Sequence, residues 1–124
     1  MTDLDIQVSI KTNFISERSD EKQNYFFFAY QVHINNQSSE TVQLMRRYWK
    51  ITNASNQVQE VEGAGVIGQT PVLKPGEAFV YISACPLDTP MGTMEGFYTM
   101  VDEYDQQIQV QIPLFSFRHP QLCH

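Results

Sequence analysis

Cysteine and histidine, which often carry nucleophilic or metal chemistry, are scarce in this sequence of 124 residues, with two and three copies. Cys85 and Cys123 are far apart and match no C-x-x-C pattern, so they predict neither a redox motif nor a zinc site. The histidines are His33, on a predicted strand, and His119 and His124 in the terminal tail. A nucleophile needs a base within reach, and no segment suggests such a pair. The sequence therefore predicts no enzyme, no metal site and no cofactor, with Cys85 as a small core residue.

Long apolar runs and excess positive charge are also missing. No stretch approaches the roughly 20 apolar residues of a membrane-spanning helix. Residues 1–5 have neither a basic region nor an apolar core, so we expect no signal peptide and a cytoplasmic protein with reduced thiols. Lys and Arg total 8 against 14 Asp and Glu, a net charge of −6. This balance argues against a membrane surface or non-specific nucleic acid as the main partner.

Alternating apolar and polar residues recur along the chain and predict β-strands. The predicted strands cover residues 5–12, 25–35, 42–52, 57–61, 78–84, 97–102 and 107–117. Residues 16–24 are wholly polar and predict a solvated connection, and residues 86–94 predict a second long loop. We expect one domain spanning residues 1–124, of about seven strands and no helix. The fold class predicted is all-β, an immunoglobulin- or fibronectin type III-like antiparallel β-sandwich, with a closed barrel as the alternative.

Glycine is absent from the first 62 residues and then spells G-x-G-x-x-G at Gly63, Gly65 and Gly68. That fingerprint binds pyrophosphate when a helix follows it, and here Pro71 and Pro75 exclude a helix of useful length. Three interpretations remain open. The loop could form an anion-binding nest of backbone N–H groups, could contact a protein partner, or could simply use glycine at positive-φ positions.

The segment Arg46-Arg47-Tyr48-Trp49-Lys50 concentrates basic and aromatic residues on one predicted strand. Alternation places Arg46, Tyr48 and Lys50 on one face and Met45, Arg47, Trp49 and Ile51 on the other. We expect Trp49 and Ile51 in the core, and an inward Arg47 that finds a carboxylate or carbonyl partner. The opposite face becomes a cationic-aromatic stripe, a composition enriched in interface hot spots. Arg46 or Arg47 could also grip an anion at the glycine loop.

Several ordered motifs resemble the ApaG family across nearly the whole chain. They occupy residues 42–52, 60–76, 79–83, 87–96 and 112–115. The resemblance implies a single fibronectin-type sandwich. It also implies a bacterial protein encoded beside a diadenosine tetraphosphate hydrolase and a ribosomal-RNA methyltransferase, and linked to cobalt resistance and magnesium efflux. No enzymatic activity is established for the family, and in eukaryotic proteins the domain resembles a protein-interaction module.

These observations support two functional hypotheses. The leading one is a non-enzymatic module that binds a protein or peptide, with candidate contacts at Arg46, Arg47, Tyr48, Gly63, Gly65 and Gly68. The alternative is a sensor of a small anion or a pyrophosphate-containing nucleotide, bound at the glycine loop. Exposed sheet edges and the apolar pair Val66-Ile67 also suggest a homodimer.

Overall fold

The computed structural model describes residues 5–122, which form two antiparallel sheets. The strands are β1 (Ile6–Phe14), β2 (Phe26–Asn36), β3 (Val42–Asn53), β4 (Val58–Ala64), β5 (Val72–Leu73), β6 (Ala78–Leu87), β7 (Met91–Val101) and β8 (Gln107–Arg118). Two short 3-10 helices, Ser16–Arg18 and Glu21–Gln23, lie in the polar connection after β1. The smaller sheet has the order β1-β2-β6. The larger sheet has the order β4-β3-β7-β8, and β5 also pairs with β3.

This strand order confirms the predicted immunoglobulin- or fibronectin-like sandwich, and the two separate sheets rule out the closed barrel for the described residues. One side of the sandwich is closed, because β1 and β8 contact each other and the Thr12 hydroxyl donates to the Ser116 carbonyl at 3.3 Å. On the other side lie the free edges of β4 and β6. The sandwich therefore has one closed and one open side.

Alternation along the strands builds the core between the sheets. In β2 the side chains of Phe26, Phe28, Tyr30, Val32 and Ile34 are all buried, as their two-residue spacing predicts. In the larger sheet, the Trp49 ring makes edge contacts with Tyr98 and Phe115. It also makes an edge contact with Tyr30 of the smaller sheet. Trp49 is 2% exposed, which confirms its predicted core position. Cys85 is also buried, as predicted, and burial raises the pKa of its thiol to about 11.

The prediction of a long loop at residues 86–94 is wrong. Strand β6 continues to Leu87 and β7 begins at Met91, so only residues 88–90 connect them. Glycine suggested a loop here, but Gly96 allows a close approach of two strands, because a Cβ there would overlap the Tyr48 carbonyl of β3. The two-residue strand β5 was not predicted either.

The prediction that His119 belongs to a loose tail is also wrong. Its side chain is buried, and its ring centroid lies 4.4 Å from that of Phe14 and 6.1 Å from that of Phe26. The ring Nε2 pairs with the Glu21 carboxylate, and Nδ1 accepts the backbone N–H groups of Gln121 and Leu122. His119 thus joins the end of β8 to the second 3-10 helix. Cys123 and His124 lie outside the described residues.

Candidate functional site

A β-bulge at Met45 decides which side chains of β3 face inward. The register with β7 shifts between Leu44 and Arg46, so Met45 is exposed and the alternation restarts one residue later. Met45 was predicted to face the core, and this prediction is wrong because of the bulge. Trp49 is buried, and Arg47 and Ile51 are half-buried on the inward face, as predicted.

The inward Arg47 finds carbonyl partners, as expected for a half-buried cation. Its Nη1 donates to the carbonyl oxygens of Ala64 and Gly65, both at 3.0 Å. Gly63 lies opposite Arg47 in the β3–β4 pairing, and a Cβ there would be 3.2 Å from Nη1. The absence of a side chain at Gly63 therefore leaves room for the guanidinium group.

On the outer face of the larger sheet, Arg46 and Lys50 flank Tyr48. The Tyr48 ring stacks on Phe97 of β7, with centroids 5.0 Å apart and planes 26° apart. The Tyr48 hydroxyl donates to Glu60 at 3.1 Å. Partial desolvation, followed by the carboxylates of Glu60, Glu62 and Glu95, raises the pKa of this hydroxyl. The stripe is therefore aromatic with mixed charge, not uniformly cationic.

The glycine segment forms a tight turn after β4. Val66 and Gln69 exchange both backbone N–H to carbonyl bonds, at 2.8 and 2.9 Å. Ile67 and Gly68 between them have φ of 44° and 77°, the sign pattern of a type I′ turn. Val66 is 1% exposed, so the predicted exposed pair Val66-Ile67 is wrong for Val66, whereas Ile67 is 51% exposed.

Three backbone donors of the glycine segment are already used within the protein. The Gly65 N–H donates to the Met45 carbonyl at 2.8 Å, and the N–H groups of Val66 and Gln69 are used within the turn. Arg47 faces inward and contacts carbonyl oxygens of the same segment. No helix follows the glycines within the described residues, as the prolines predicted.

The structure brings the two predicted candidate segments together. Arg46 lies opposite Ala64 in the β3–β4 pairing, and Gly65 is bonded to Met45. The turn tip at Ile67 therefore leaves the sheet beside the bulge. The sequence named Ile67 only within the apolar pair that suggested a homodimer, although a β-branched residue directly before glycine in a tight turn was also a signal for a contact at the turn tip.

A cavity between the sheets was also missed. It lies on the open side, has a volume of about 260 Å³, and is lined by residues that include Tyr30, Arg47, Trp49, Ser83 and Met94. Trp49 Nε1 is buried and has no hydrogen-bond partner among the described residues. The inward pair Arg47 and Trp49 was the sequence signal, but the facing residues of β6 come from a distant segment.

Among residues 5–122, no group of three or more His, Cys, Asp or Glu side chains is arranged to hold a metal ion. His33 is exposed on the outer face of β2, and His119 is held by Glu21 and the backbone. Within the same range, no helix has the length and apolar character needed to span a bilayer.

The two sheets and their strand order define a fibronectin-like β-sandwich domain, and comparison with known proteins identifies its family. The sequence profile of the ApaG domain matches residues 16–102. An ApaG protein of Beijerinckia indica is 52% identical over 116 residues, which cover 94% of this chain and 89% of that protein. One of Paramagnetospirillum magneticum is 47% identical over 119 residues, covering 96% and 92%. The chain therefore belongs to the ApaG family.

Solved structures agree with this assignment. The crystal structure of a Bordetella pertussis protein described as ApaA has a TM-score of 0.92 at 44% identity, covering 95% of this chain and 96% of that one. A second X-ray structure, a structural-genomics target, has a TM-score of 0.90 at 38% identity, covering 96% and 90%. An Archaeoglobus fulgidus protein shares only the fold, with a TM-score of 0.56 at 10% identity.

Proposed function

We propose that this domain is a non-catalytic module that binds a protein partner through the surface around the β3 bulge. This bulge surface consists of Met45, Arg46, Tyr48, Ile67 and Phe97. It joins the two segments that the sequence singled out. Under this proposal, the family's link to cobalt resistance and magnesium efflux acts through the bound partner.

The observation that carries the proposal is the conformation of Ile67. Its φ of 44° is left-handed, and this conformation is rare and costly for a β-branched residue. Asparagine or glycine is the usual residue at this turn position. Ile67 is 51% exposed, so its side chain packs little against the core and gains little stability there to offset the strain. A strained, exposed isoleucine at a turn tip is well suited to act as an apolar anchor for a partner.

The neighbouring stacked pair supplies the second feature of an interface. Tyr48 and Phe97 present a flat aromatic surface that is only half-buried in the free domain. Arg46 stands beside it, and aromatic residues with arginine dominate interface hot spots. Glu60 holds the Tyr48 hydroxyl, so the ring is oriented before a partner arrives. Such preorganisation lowers the entropy cost of binding.

An affinity capture with matched variants tests the proposal. Wild-type, Ile67→Asn and Ile82→Asn domains serve as baits. Ile82 is the control because it is an exposed isoleucine, at 63%, on the outer face of the other sheet. We expect Ile67→Asn to lose partners that Ile82→Asn and the wild type retain. We also expect Ile67→Asn to unfold at equal or higher denaturant, gaining about 0.5–1 kcal/mol as turn strain is relieved.

Two outcomes would contradict the bulge surface. One is that all three baits recover the same partners, and the other is that Ile67→Asn loses them only because it is unfolded. A double variant, Arg46→Ala with Tyr48→Ala, extends the test to the stripe, and we expect the same loss of partners.

The alternative of a nucleotide sensor at the glycine turn is tested by calorimetric titration with ATP, with and without Mg²⁺. Because three backbone donors of the segment are already used and Arg47 faces inward, we expect no saturable heat.

A further inference from the structure

The cavity on the open side of the sandwich is lined by one charged side chain and by mainly apolar ones. Arg47 is the only charged residue among the described residues that line it. Ile51, Val61 and Met94 are apolar lining residues, and no acidic side chain of the described residues faces the guanidinium group there. A half-buried cation without a carboxylate partner favours the binding of an anion.

The Arg47 guanidinium has donors to spare. Nη1 bonds the carbonyl groups of Ala64 and Gly65, whereas Nε and Nη2 have no acceptor among the described residues. The charge of Arg47 also acts on the Tyr30 and Tyr81 hydroxyls. Burial raises the pKa of both hydroxyls, and the positive charge of Arg47 partly opposes this rise. The edge of the guanidinium group formed by Nε and Nη2 is therefore available to a ligand in the cavity.

Trp49 provides an independent observation. The side chain lines the cavity and is 2% exposed, yet Nε1–H has no acceptor in the described protein. Buried donors are nearly always satisfied, because an unpaired one loses its hydration without compensation. Arg47 and Trp49 are on the same face of β3, two residues apart. An acceptor between them could satisfy both.

We propose that this cavity binds a small carboxylate. A carboxylate accepts two parallel bonds from the planar edge of a guanidinium group, and its remaining lone pairs can accept from the indole N–H. The apolar walls suit an aliphatic body, and a volume of about 260 Å³ fits a small organic acid. A single positive charge matches a monoanion better than a phosphate dianion. The carboxylate could belong to a free acid or to the end of a polypeptide.

The single tryptophan of the sequence makes the test direct, because Trp49 itself lines the cavity. Intrinsic fluorescence is titrated with hexanoate, with hexanamide as the neutral counterpart, and with inorganic phosphate. None of these absorbs where tryptophan is excited. We expect a saturable response to hexanoate at or below about 10 mM, and at least about 10-fold weaker binding of hexanamide and phosphate.

Neighbouring arginines on opposite faces of β3 supply a matched pair of variants. We expect Arg47→Gln to weaken hexanoate binding at least about 10-fold and Arg46→Gln to leave it unchanged. Because Arg47 also holds the carbonyl groups of Ala64 and Gly65, the fold of each variant is checked by circular dichroism. If Arg47→Gln is unfolded, the proposal is tested instead by the NMR resonance of the Trp49 indole N–H in the wild-type protein. It should shift saturably with hexanoate, as expected for a donor that gains an acceptor.

To identify the source of the carboxylate, the same titration is carried out with a short peptide ending in leucine and with the C-terminal amide of that peptide. Tighter binding of the free-acid peptide than of hexanoate points to a chain end, and the reverse points to a free acid. The proposal is overturned if hexanoate and hexanamide bind equally, if phosphate binds more tightly, or if Arg46→Gln weakens binding as much as Arg47→Gln. Arg46 belongs to the bulge surface, but hexanoate binding is measured without a protein partner, so this site and the protein-binding proposal succeed or fail separately.

Discussion

At the scale of single residues, two glycines of the same turn have different structural demands. Gly65 has φ of 64°, and a Cβ there would overlap the Gln69 carbonyl that closes the turn. Gly68 has φ of 77°, but nothing lies within 4 Å of the position of its Cβ. We expect Gly68→Ala to cost about 1 kcal/mol from backbone strain alone, and Gly65→Ala to cost about 2–4 kcal/mol.

The larger cost at Gly65 arises because the turn must open, which would draw Val66 out of the core. Urea unfolding of both variants measures the difference. Equal stability of the two variants would show that the Val66–Gln69 turn does not depend on a bare backbone at position 65. The sequence alone left Gly65 as a possible contact residue, and its role in closing the turn became visible only with the Gln69 carbonyl in place.

The buried hydroxyl and thiol groups make stability depend on alkaline pH. Burial raises the pKa of Tyr30, Tyr81 and Tyr98 above the ordinary value of 10.0, and raises that of Cys85 from 9.0 to about 11. Because the folded state keeps these protons after the unfolded state has lost them, the free energy of unfolding falls as the pH rises. This contribution is fully present below about pH 9 and decreases above it.

We therefore expect unfolding at pH 11 to require less urea than at pH 8, with a loss of about 2 kcal/mol or more. Tyr98→Phe should reduce this loss, because it removes one of the buried protons. Tyr104→Phe is the control, since Tyr104 is exposed at the β7–β8 turn. An identical loss in both variants would show that the buried tyrosines do not cause the pH dependence.

At the scale of strands, the fold could be predicted where alternation is uninterrupted. β2 alternates along its whole length and β8 as far as Ile112, and their sequence ranges agree with the predicted strands to within one residue at each end. β7 was predicted only from Phe97, because Gly92 and Gly96 indicated a loop. A glycine that makes room for a neighbouring strand cannot be distinguished by local sequence from one that forms a turn, since the neighbour comes from elsewhere in the chain.

The candidate sites show the same division between local and distant information. The inward positions of Arg47 and Trp49 followed from alternation, but the bulge at Met45 did not, because it depends on the register between β3 and β7. The cavity was out of reach for a similar reason. Its opposite wall includes Ser83 and Cys85 of β6, and only the packing of the two sheets brings these residues to β3.

At the scale of the whole molecule, the open side of the sandwich leaves one edge of β6 unpaired. Among the described residues, β6 pairs only with β2. The Asn36 N–H donates to the Glu77 carbonyl at 2.9 Å. This bond fixes which residues of β6 direct their backbone N–H and C=O groups toward β2 and which direct them away, because the two kinds alternate along an antiparallel strand. By that alternation, residues 80, 82 and 84 direct their N–H and C=O groups toward the free edge. The strand sequence Ala78–Leu87 contains no charged residue that would discourage another strand from pairing there.

We therefore propose that two copies of the domain pair through the free edges of β6, with Val80 and Ile82 contributing exposed apolar surface. Sedimentation at about 50 µM should show a dimer if the dissociation constant is micromolar or tighter. Ile82→Lys places a charge in the paired edge and should give a monomer, whereas Ile67→Lys, at a comparably exposed isoleucine on the β4–β5 turn, should remain a dimer. A wild-type monomer at this concentration would contradict edge pairing, and dissociation by Ile67→Lys alone would place the contact at the bulge surface instead.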